Sequence, residues 1–195
     1  MHADEPSRTA RGVALRRSLL DRPSSPTGDP AAEARLEADL IGDPRELTAG
    51  RASGAGAWIA ARTPFFDEAV LRSIAAGVRQ VVVLGAGYDG RALRFRTPGV
   101  HFFEVDHPAT QADKRHRLAT LGIDAADVAF VSADFTEPGL GDRLAAAGHE
   151  SSSSSLFVLE GVLRYLPEAA YRALLASVAG LAGAGSELAV TVSTA

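Results

Sequence analysis

Residues 80–90 read QVVVLGAGYDG, and this stretch decides the fold. The apolar run at 81–84 indicates a strand buried on both faces, as in a parallel sheet. Gly85, Gly87 and Gly90 then fit the pattern G-x-G-x-x-G, which lets the backbone turn tightly and approach a bulky ligand. Free N–H groups at the N-terminus of the following helix would face that ligand. The stretch therefore predicts a strand, a ligand-binding loop and a helix.

Four further apolar runs follow this strand, and segments of helical character separate them. The predicted strands cover 80–84, 100–105, 128–132, 156–159 and 187–192, and the predicted helices lie around 91–95, 110–121, 140–147 and 167–181. Continuous apolar strands that alternate with helices are typical of a parallel sheet covered on both faces. The chain is therefore predicted to be α/β, with a doubly wound, mostly parallel, Rossmann-like sheet.

The length of 195 residues suits one domain with an extension. Residues 1–30 are rich in Pro, Ser, Arg and Asp, and we predict a flexible or partly helical segment there. Residues 31–78 are predicted to form a helical lid or extension. Residues 79–195 are predicted to form the cofactor-binding domain, with its C-terminal strands missing.

Three helices and one loop are predicted before the first strand. A short amphipathic helix is expected over 13–20 and a surface helix over 31–41, with a loop over 50–56. Thr63 and Pro64 suit an N-cap followed by proline at the first helical position, so a third helix is expected from there to about Ala76.

Composition argues against several classes of protein. The 24 acidic and 20 basic side chains give a net charge of −4, which argues against a nucleic-acid partner. The absence of cysteine excludes disulfides, zinc–thiolate sites, iron–sulfur clusters and a cysteine nucleophile. Residues 1–6 are polar, and no apolar run reaches the length of a signal peptide or membrane span. We expect a cytoplasmic protein with no metal, membrane or nucleic-acid partner.

The carboxyl ends of the predicted strands are where an open α/β sheet binds ligands. Asp106 ends the second strand, 21 residues after Gly85, near the spacing at which a carboxylate reaches ribose hydroxyls. The glycine loop and Asp106 together indicate an adenosine-containing ligand. NAD and S-adenosylmethionine enzymes share this geometry, so both cofactors stay open at this point.

The next two strand ends favour S-adenosylmethionine. Asp134 and Phe135 follow the third strand. The Asp134 carboxylate could accept a hydrogen bond from an adenine amino group, and Phe135 could provide an aromatic surface beside the adenine. Glu160 follows the fourth strand and lies at the mouth of the sheet. A short-chain dehydrogenase would need Tyr-x-x-x-Lys, but Lys114 is the only lysine and no tyrosine lies four residues before it. Hydride transfer is therefore the weaker alternative.

Several motifs in matching order resemble the leucine carboxyl methyltransferase family. The match is closest to its bacterial, actinobacterial-type branch of S-adenosylmethionine-dependent O-methyltransferases. The resemblance covers residues 9–183, and its motifs are Gly28-Asp29-Pro30-Ala31, ARTPFFD at 61–67, QVVVLGAGYDGRALR at 80–94, FEVDHP at 103–108 with Lys114, and EGVLRYLP at 160–167.

The resemblance implies a class I methyltransferase fold and a role for each of eight cofactor-binding residues. They are Arg62 for the methionine carboxylate, Gly85, Ala86 and Gly87 around the methionine portion, Asp106 for the ribose, Asp134 and Phe135 beside adenine, and Glu160 near the methionine amino group. An arginine suits the carboxylate because such pairs are charge-assisted.

Most of these residues have a simpler alternative reading. Arg62 could form a surface salt bridge, Asp106 or Glu104 could cap the next helix, and Asp134 could belong to a turn. Glu160 is expected to have a function, because a buried carboxylate without a partner is costly. Tyr165 is a candidate for the acceptor pocket, with simple packing as its alternative.

The reaction implied by the resemblance is methyl transfer to a carboxyl or hydroxyl oxygen of a small molecule. A carboxylate acceptor is ionised at neutral pH and needs no base, whereas a hydroxyl would benefit from one. No histidine has the sequence context of a base, so no catalytic residue is assigned. Family members continue through two more strands beyond Ala195, which leaves a non-catalytic cofactor-binding fragment as an alternative. An NAD(P)-dependent oxidoreductase is the third hypothesis.

Overall fold

The computed structural model describes residues 6–41 and 54–192, and one parallel sheet organises them. Its strand order is β3-β2-β1-β4-β5, and all four neighbouring pairs run parallel. The strands are β1 (Gln80–Leu84), β2 (His101–Asp106), β3 (Val128–Ser132), β4 (Ser155–Leu159) and β5 (Glu187–Val190). The predicted α/β, doubly wound fold is confirmed, and each strand lies within two residues of its predicted bounds.

The helices precede and connect these strands. They are α1 (Arg8–Arg17), α2 (Pro30–Ile41), α3 (Gly54–Ala75), α4 (Arg91–Arg94), α5 (Pro108–Thr120), α6 (Leu140–Ala146) and α7 (Glu168–Leu181), with a short 3₁₀ helix at Leu163–Tyr165. Within the described parts of the chain, none of these helices has the length and apolarity needed to cross a membrane.

Alternate residues of each central strand point to opposite faces of the sheet, and each face has its own core. Val81 and Val83 belong to the core that includes Phe66 of α3. Val82 and Leu84 belong to the core on the other face, with side chains of α6 and α7. Because both faces are covered, the carboxyl edge of the sheet is left as the place for a ligand.

The helix containing Pro64 begins much earlier than predicted. Thr63 and Pro64 lie inside α3, and residues 54–56 of the predicted loop are helical; residues 50–53 lie outside the described part. The Thr63 hydroxyl donates to the carbonyl of Ile59 at 2.7 Å. Pro64 has no N–H, so it cannot donate to the carbonyl four residues earlier. Burial of Ile59 before the proline and of Phe66 after it offsets that loss.

The first helix also begins earlier than its predicted range of 13–20. Ser7 caps it, because the Ser7 side chain accepts from the backbone N–H of Ala10 at 3.2 Å. The helix ends at Arg17, three residues before the end of its predicted range. The predicted helix over 31–41 is confirmed as α2.

Helix α2 is held to the rest of the chain by a buried carboxylate. Glu33 accepts from Arg22 at 2.6 Å and from Arg94, and its side chain is almost wholly buried. Glu37 lies one turn further along and is also buried. Burial and the nearby charge of Glu33 raise the pKa of Glu37 to about 8, although nearby arginines oppose the shift. Glu37 is therefore largely protonated at neutral pH.

Replacing this carboxyl should change how stability depends on pH. The folded-state pKa of Glu37 lies above its ordinary value of 4.5, so the folded chain loses stability as pH rises from about 4.5 to 8. Glu37→Gln cannot ionise, and we expect its melting temperature to exceed that of the unchanged chain by about 3 °C or more at pH 9. At pH 5 the two should agree closely.

The exposed Glu68 of α3 offers a matched control. Glu68→Gln should leave the pH dependence of melting unchanged. An equal loss of stability between pH 5 and pH 9 in Glu37→Gln and in the unchanged chain would contradict the assignment.

Candidate functional site

A cavity of about 480 Å³ lies at the carboxyl edge of the sheet, bounded also by α1, α3 and the 3₁₀ helix. The structure brings together there all the site residues predicted from sequence. The lining includes Arg62, Gly85, Ala86, Gly87, Asp106, Asp134, Phe135, Glu160 and Tyr165. Their individual roles stay predictions.

The glycine loop follows β1 and has no room for side chains at two positions. Gly85 and Gly87 have φ angles of +70° and +52°, a region that side chains disfavour. A Cβ at Gly85 would lie 2.3 Å from a methyl of Val162, and one at Gly87 would lie 2.7 Å from the Cβ of Ala10. These glycines therefore let the loop pass close to α1 and to the segment after β4.

Asp106 ends β2 and faces the glycine loop. Its carboxylate accepts from the backbone N–H of Gly87 at 2.5 Å and from that of His107 at 2.6 Å. Burial raises the pKa of Asp106, although these two N–H groups oppose the shift. The N-cap side chain of α5 is His107, so the predicted alternative that Asp106 caps this helix is wrong.

Glu104 does not cap α5 either, because it lies within β2. Its buried carboxylate pairs with the ammonium of Lys114. Lys114 also donates to the carbonyl of Asp89 at 2.6 Å. The only lysine of the chain thus ties β2 and α5 to the glycine loop.

Glu160 follows β4, and three arginines surround it. Arg62 of α3 donates to one carboxylate oxygen at 2.7 Å, while Arg17 and Arg91 donate to the other at 2.5 and 2.8 Å. Burial opposes ionisation, but the charges of Arg17 and Arg91 outweigh it and lower the pKa of Glu160 to about 2. The alternative of a surface salt bridge for Arg62 is wrong, because its partner Glu160 is buried.

A buried charge network extends from Glu160 into the protein, and sequence reasoning missed most of it. Arg91 is wholly buried and donates to Asp89 at 2.6 Å and to Asp67 at 2.7 Å. Arg17 also reaches Asp89, at 2.9 Å. These arginines hold the pKa of Asp89 well below its usual range, against the effect of its burial. The signal in the sequence was Asp89 and Arg91 flanking the last glycine of the loop.

Asp134 and Phe135 follow β3. In the sheet, β3 lies three strands away from β4, the strand that precedes Glu160. The Asp134 carboxylate accepts from the backbone N–H and the hydroxyl of Thr136 at 2.8 and 2.7 Å. These hydrogen bonds lower the pKa of Asp134. The turn role considered for Asp134 is therefore observed, while the residue also lines the cavity. Phe135 is half-buried and packs against the adjoining core.

Aromatic side chains mark the mouth of the cavity. Trp58 and Tyr165 both line it and are about half exposed, at 50% and 52%. The guanidinium of Arg164 lies over the Tyr165 ring, 5.5 Å from its centre. Of the two readings considered for Tyr165, a place in the pocket therefore agrees with its position better than core packing.

The family model for leucine carboxyl methyltransferase matches residues 17–179. The chain belongs to this family. A Frankia alni protein, FRAAL3718, is 38% identical over 197 residues, covering 95% of this chain and 68% of its own length. Its name assigns it provisionally to the S-adenosyl-L-methionine-dependent methyltransferases. A Streptomyces coelicolor protein with the same provisional assignment, SCO7813, is 37% identical and covers 94% and 68%.

The predicted enzyme class and cofactor, an S-adenosylmethionine-dependent methyltransferase, are confirmed by this membership. This methyltransferase chain spans about two thirds of the length of those two relatives. An O-methyltransferase family protein from Burkholderia thailandensis, whose structure is solved, is 17% identical with a TM-score of 0.49, covering 93% of this chain and 49% of its own.

The shared carboxylate of this methyltransferase should be costly to neutralise. Glu160→Gln removes the negative charge that three arginines share, and we expect a loss of about 2 kcal/mol or more in the free energy of unfolding, measured by urea denaturation at pH 7. The loss should shrink below pH 4.5, because the carboxylate's contribution to stability disappears as pH falls from about 4.5 towards 2.

The exposed Glu168, paired with Arg172 one turn away, provides the control. Glu168→Gln should change the free energy of unfolding by less than about 0.5 kcal/mol. Equal effects of the two substitutions would show that Glu160 is not the centre of the network.

Proposed function

We propose that this chain binds S-adenosylmethionine in the 480 Å³ cavity and transfers its methyl group to a carboxyl or hydroxyl oxygen of a small molecule. The observation that carries the proposal is the convergence of all nine predicted residues on one cavity at the carboxyl edge of the sheet. The alternative of an oxidoreductase is set aside, because the chain belongs to a methyltransferase family.

The residues present suit the charges of this cofactor. Its methionine portion carries a carboxylate and an ammonium, and the cavity offers arginines and a carboxylate side by side. Arg62 and Arg17 line it together with Glu160. The Arg17 Nε is buried and has no partner among the described residues, so its guanidinium keeps one donor that the network does not use. Asp106, next to the glycine loop, would meet the ribose.

Bound S-adenosylmethionine supplies a methyl group that is already activated by a sulfonium, so the chain itself needs chiefly to hold and orient the reactants. The residues around Glu160 would fix the methionine portion, because each of its arginines is held by at least one buried carboxylate. Phe135 would supply an apolar surface beside the adenine. Helix α1, which lines one side of the cavity, would keep water from the site.

The ribose assignment predicts a selective loss of cofactor binding. Asp106→Ala should weaken binding of S-adenosylhomocysteine at least tenfold in isothermal titration calorimetry, because two hydroxyls would lose a charged acceptor. The exposed Asp142, outside the cavity, is the matched control, and Asp142→Ala should bind as the unchanged chain does. Unchanged affinity in a folded Asp106→Ala would place the ribose contact elsewhere.

The carboxylate assignment of Arg62 can be tested in the same way. Arg62→Ala should weaken binding of S-adenosylhomocysteine at least tenfold, and Arg62→Lys should recover part of it, since a point charge replaces a two-pronged donor. The exposed Arg72 of the same helix is the control. Equal affinity of Arg62→Ala and Arg72→Ala would show that another arginine holds the carboxylate.

If the unchanged chain shows no binding of S-adenosylhomocysteine at millimolar concentration, the proposed function fails for this chain. The hypothesis of a non-catalytic fragment predicts something different, namely normal cofactor binding without methyl transfer. The two outcomes are therefore separable.

A further inference from the structure

A small recess opens beside the mouth of the cavity. It has a volume of about 20 Å³ and is lined by Trp58, Arg62, Gly161, Arg164 and Thr191. Four of these residues also line the large cavity, so the two spaces adjoin. A space of this size holds about one water-sized group. It therefore has room for an oxygen atom of a ligand but not for a ring.

One residue that lines the recess, Thr191, carries a polar atom without a partner. Thr191 follows β5, and its backbone N–H donates to the carbonyl of Leu159 at 3.1 Å. Its side-chain oxygen is buried and has no hydrogen-bond partner among the described residues. A buried hydroxyl left without a partner costs about 1–3 kcal/mol. An oxygen atom seated in the recess would satisfy it.

A cation lies next to this hydroxyl. Arg164 is exposed, and within the described part of the chain its guanidinium has no carboxylate partner, only the ring of Tyr165. The two nearest described carboxylates along the chain are already paired, Glu160 with three other arginines and Glu168 with Arg172. Arg164 therefore presents a positive charge at the mouth, beside the half-exposed rings of Trp58 and Tyr165.

We infer that the mouth selects an acceptor with a carboxylate on an aromatic body. The carboxylate would bind the Arg164 guanidinium with one oxygen at the Thr191 hydroxyl, and the ring would lie against Trp58 and Tyr165. A guanidinium and a hydroxyl are both donors, which a carboxylate can accept from at once. The inference rests on the proposed function and narrows its acceptor from a carboxyl or hydroxyl group to a carboxylate.

The lining of the large cavity supports this narrowing. A hydroxyl acceptor has to lose a proton, whereas a carboxylate oxygen can form the new bond to carbon with its lone pair while the carbon–sulfur bond breaks onto sulfur. Of the four carboxylates in the described lining, Asp89 and Glu160 are held ionised by arginines, and Asp106 and Asp134 accept from backbone N–H groups. His107, the histidine in the described lining, uses Nδ1 to accept from the N–H of Ala109. The site thus offers donors for a carboxylate rather than a committed base.

Trp58 is the only tryptophan of the chain, so intrinsic fluorescence reports on the mouth directly. The test titrates phenylacetate, its neutral isostere phenylacetamide, 2-phenylethanol and cyclohexylacetate, each with and without saturating S-adenosylhomocysteine. We expect a saturable change with phenylacetate and at least tenfold weaker binding of the amide and the alcohol. Cyclohexylacetate should bind at least threefold more weakly than phenylacetate, because it has no aromatic face.

Two substitutions test the individual contacts. Arg164→Gln should weaken the binding of phenylacetate at least tenfold and leave the affinity for phenylacetamide unchanged. Thr191→Val should weaken the binding of phenylacetate about threefold to tenfold. The same substitution should raise the melting temperature of the ligand-free chain, because it removes an unpartnered hydroxyl. Arg172→Gln, which removes an exposed arginine of α7 outside the cavity, is the matched control and should change neither ligand.

Each outcome decides something definite. Equal affinity of the unchanged chain for phenylacetate and phenylacetamide would overturn the carboxylate contact. Equal affinity of Arg164→Gln and Arg172→Gln for phenylacetate would overturn it as well. Tighter binding of 2-phenylethanol would point to a hydroxyl acceptor, and equal binding of cyclohexylacetate would remove the aromatic requirement. If S-adenosylhomocysteine binds and none of the four probes does, the inference fails while the proposed function stands. If S-adenosylhomocysteine does not bind, the proposed function fails first.

Discussion

The ion cluster around Glu160 is the constraint on which the cavity depends. Its carboxylate is shared by Arg17 of α1, Arg62 of α3 and Arg91 of α4, so one side chain after β4 holds three helices at one point. These helices are far apart in sequence, and Glu160 adds a charge contact to the apolar cores that already bury Ala14 of α1, Phe66 of α3 and Leu93 of α4. The walls of the site therefore combine charge pairing with apolar burial, while the sheet below depends on apolar burial.

Buried ion pairs are a poor source of net stability, because the cost of removing charges from water offsets their attraction. This network instead fixes the positions of the side chains that it joins. Arg91 can reach Asp67, Asp89 and Glu160 only in one arrangement, because it is wholly buried and its donors form a rigid fork. Arg17 joins the same arrangement through Asp89 and Glu160. Three arginines (Arg17, Arg62 and Arg91) thus balance three carboxylates (Asp67, Asp89 and Glu160) within the network.

The fold and the location of the site could be predicted from the sequence because both depend on local patterns. Continuous apolar runs mark buried parallel strands, and the carboxyl ends of such strands meet at one edge, which places Gly85, Asp106 and Glu160 together. The start of α3 was missed, because proline at a first helical position and proline inside a helix look alike without tertiary contacts. Pro64 is tolerated by burial on both sides of it.

The partners of the site residues could not be predicted, because they come from distant parts of the chain. Arg17 lies 143 residues from Glu160, and Thr191 reaches the recess only after β5 has joined the sheet. Sequence alone showed Glu160 as a carboxylate in need of a partner, and the structure supplies three cations. Arg164 at the mouth adds a guanidinium that has no carboxylate partner in the described part of the chain. A site whose carboxylates are already hydrogen-bonded, and whose mouth carries a guanidinium without a described carboxylate partner, favours ligands that bring their own negative charge.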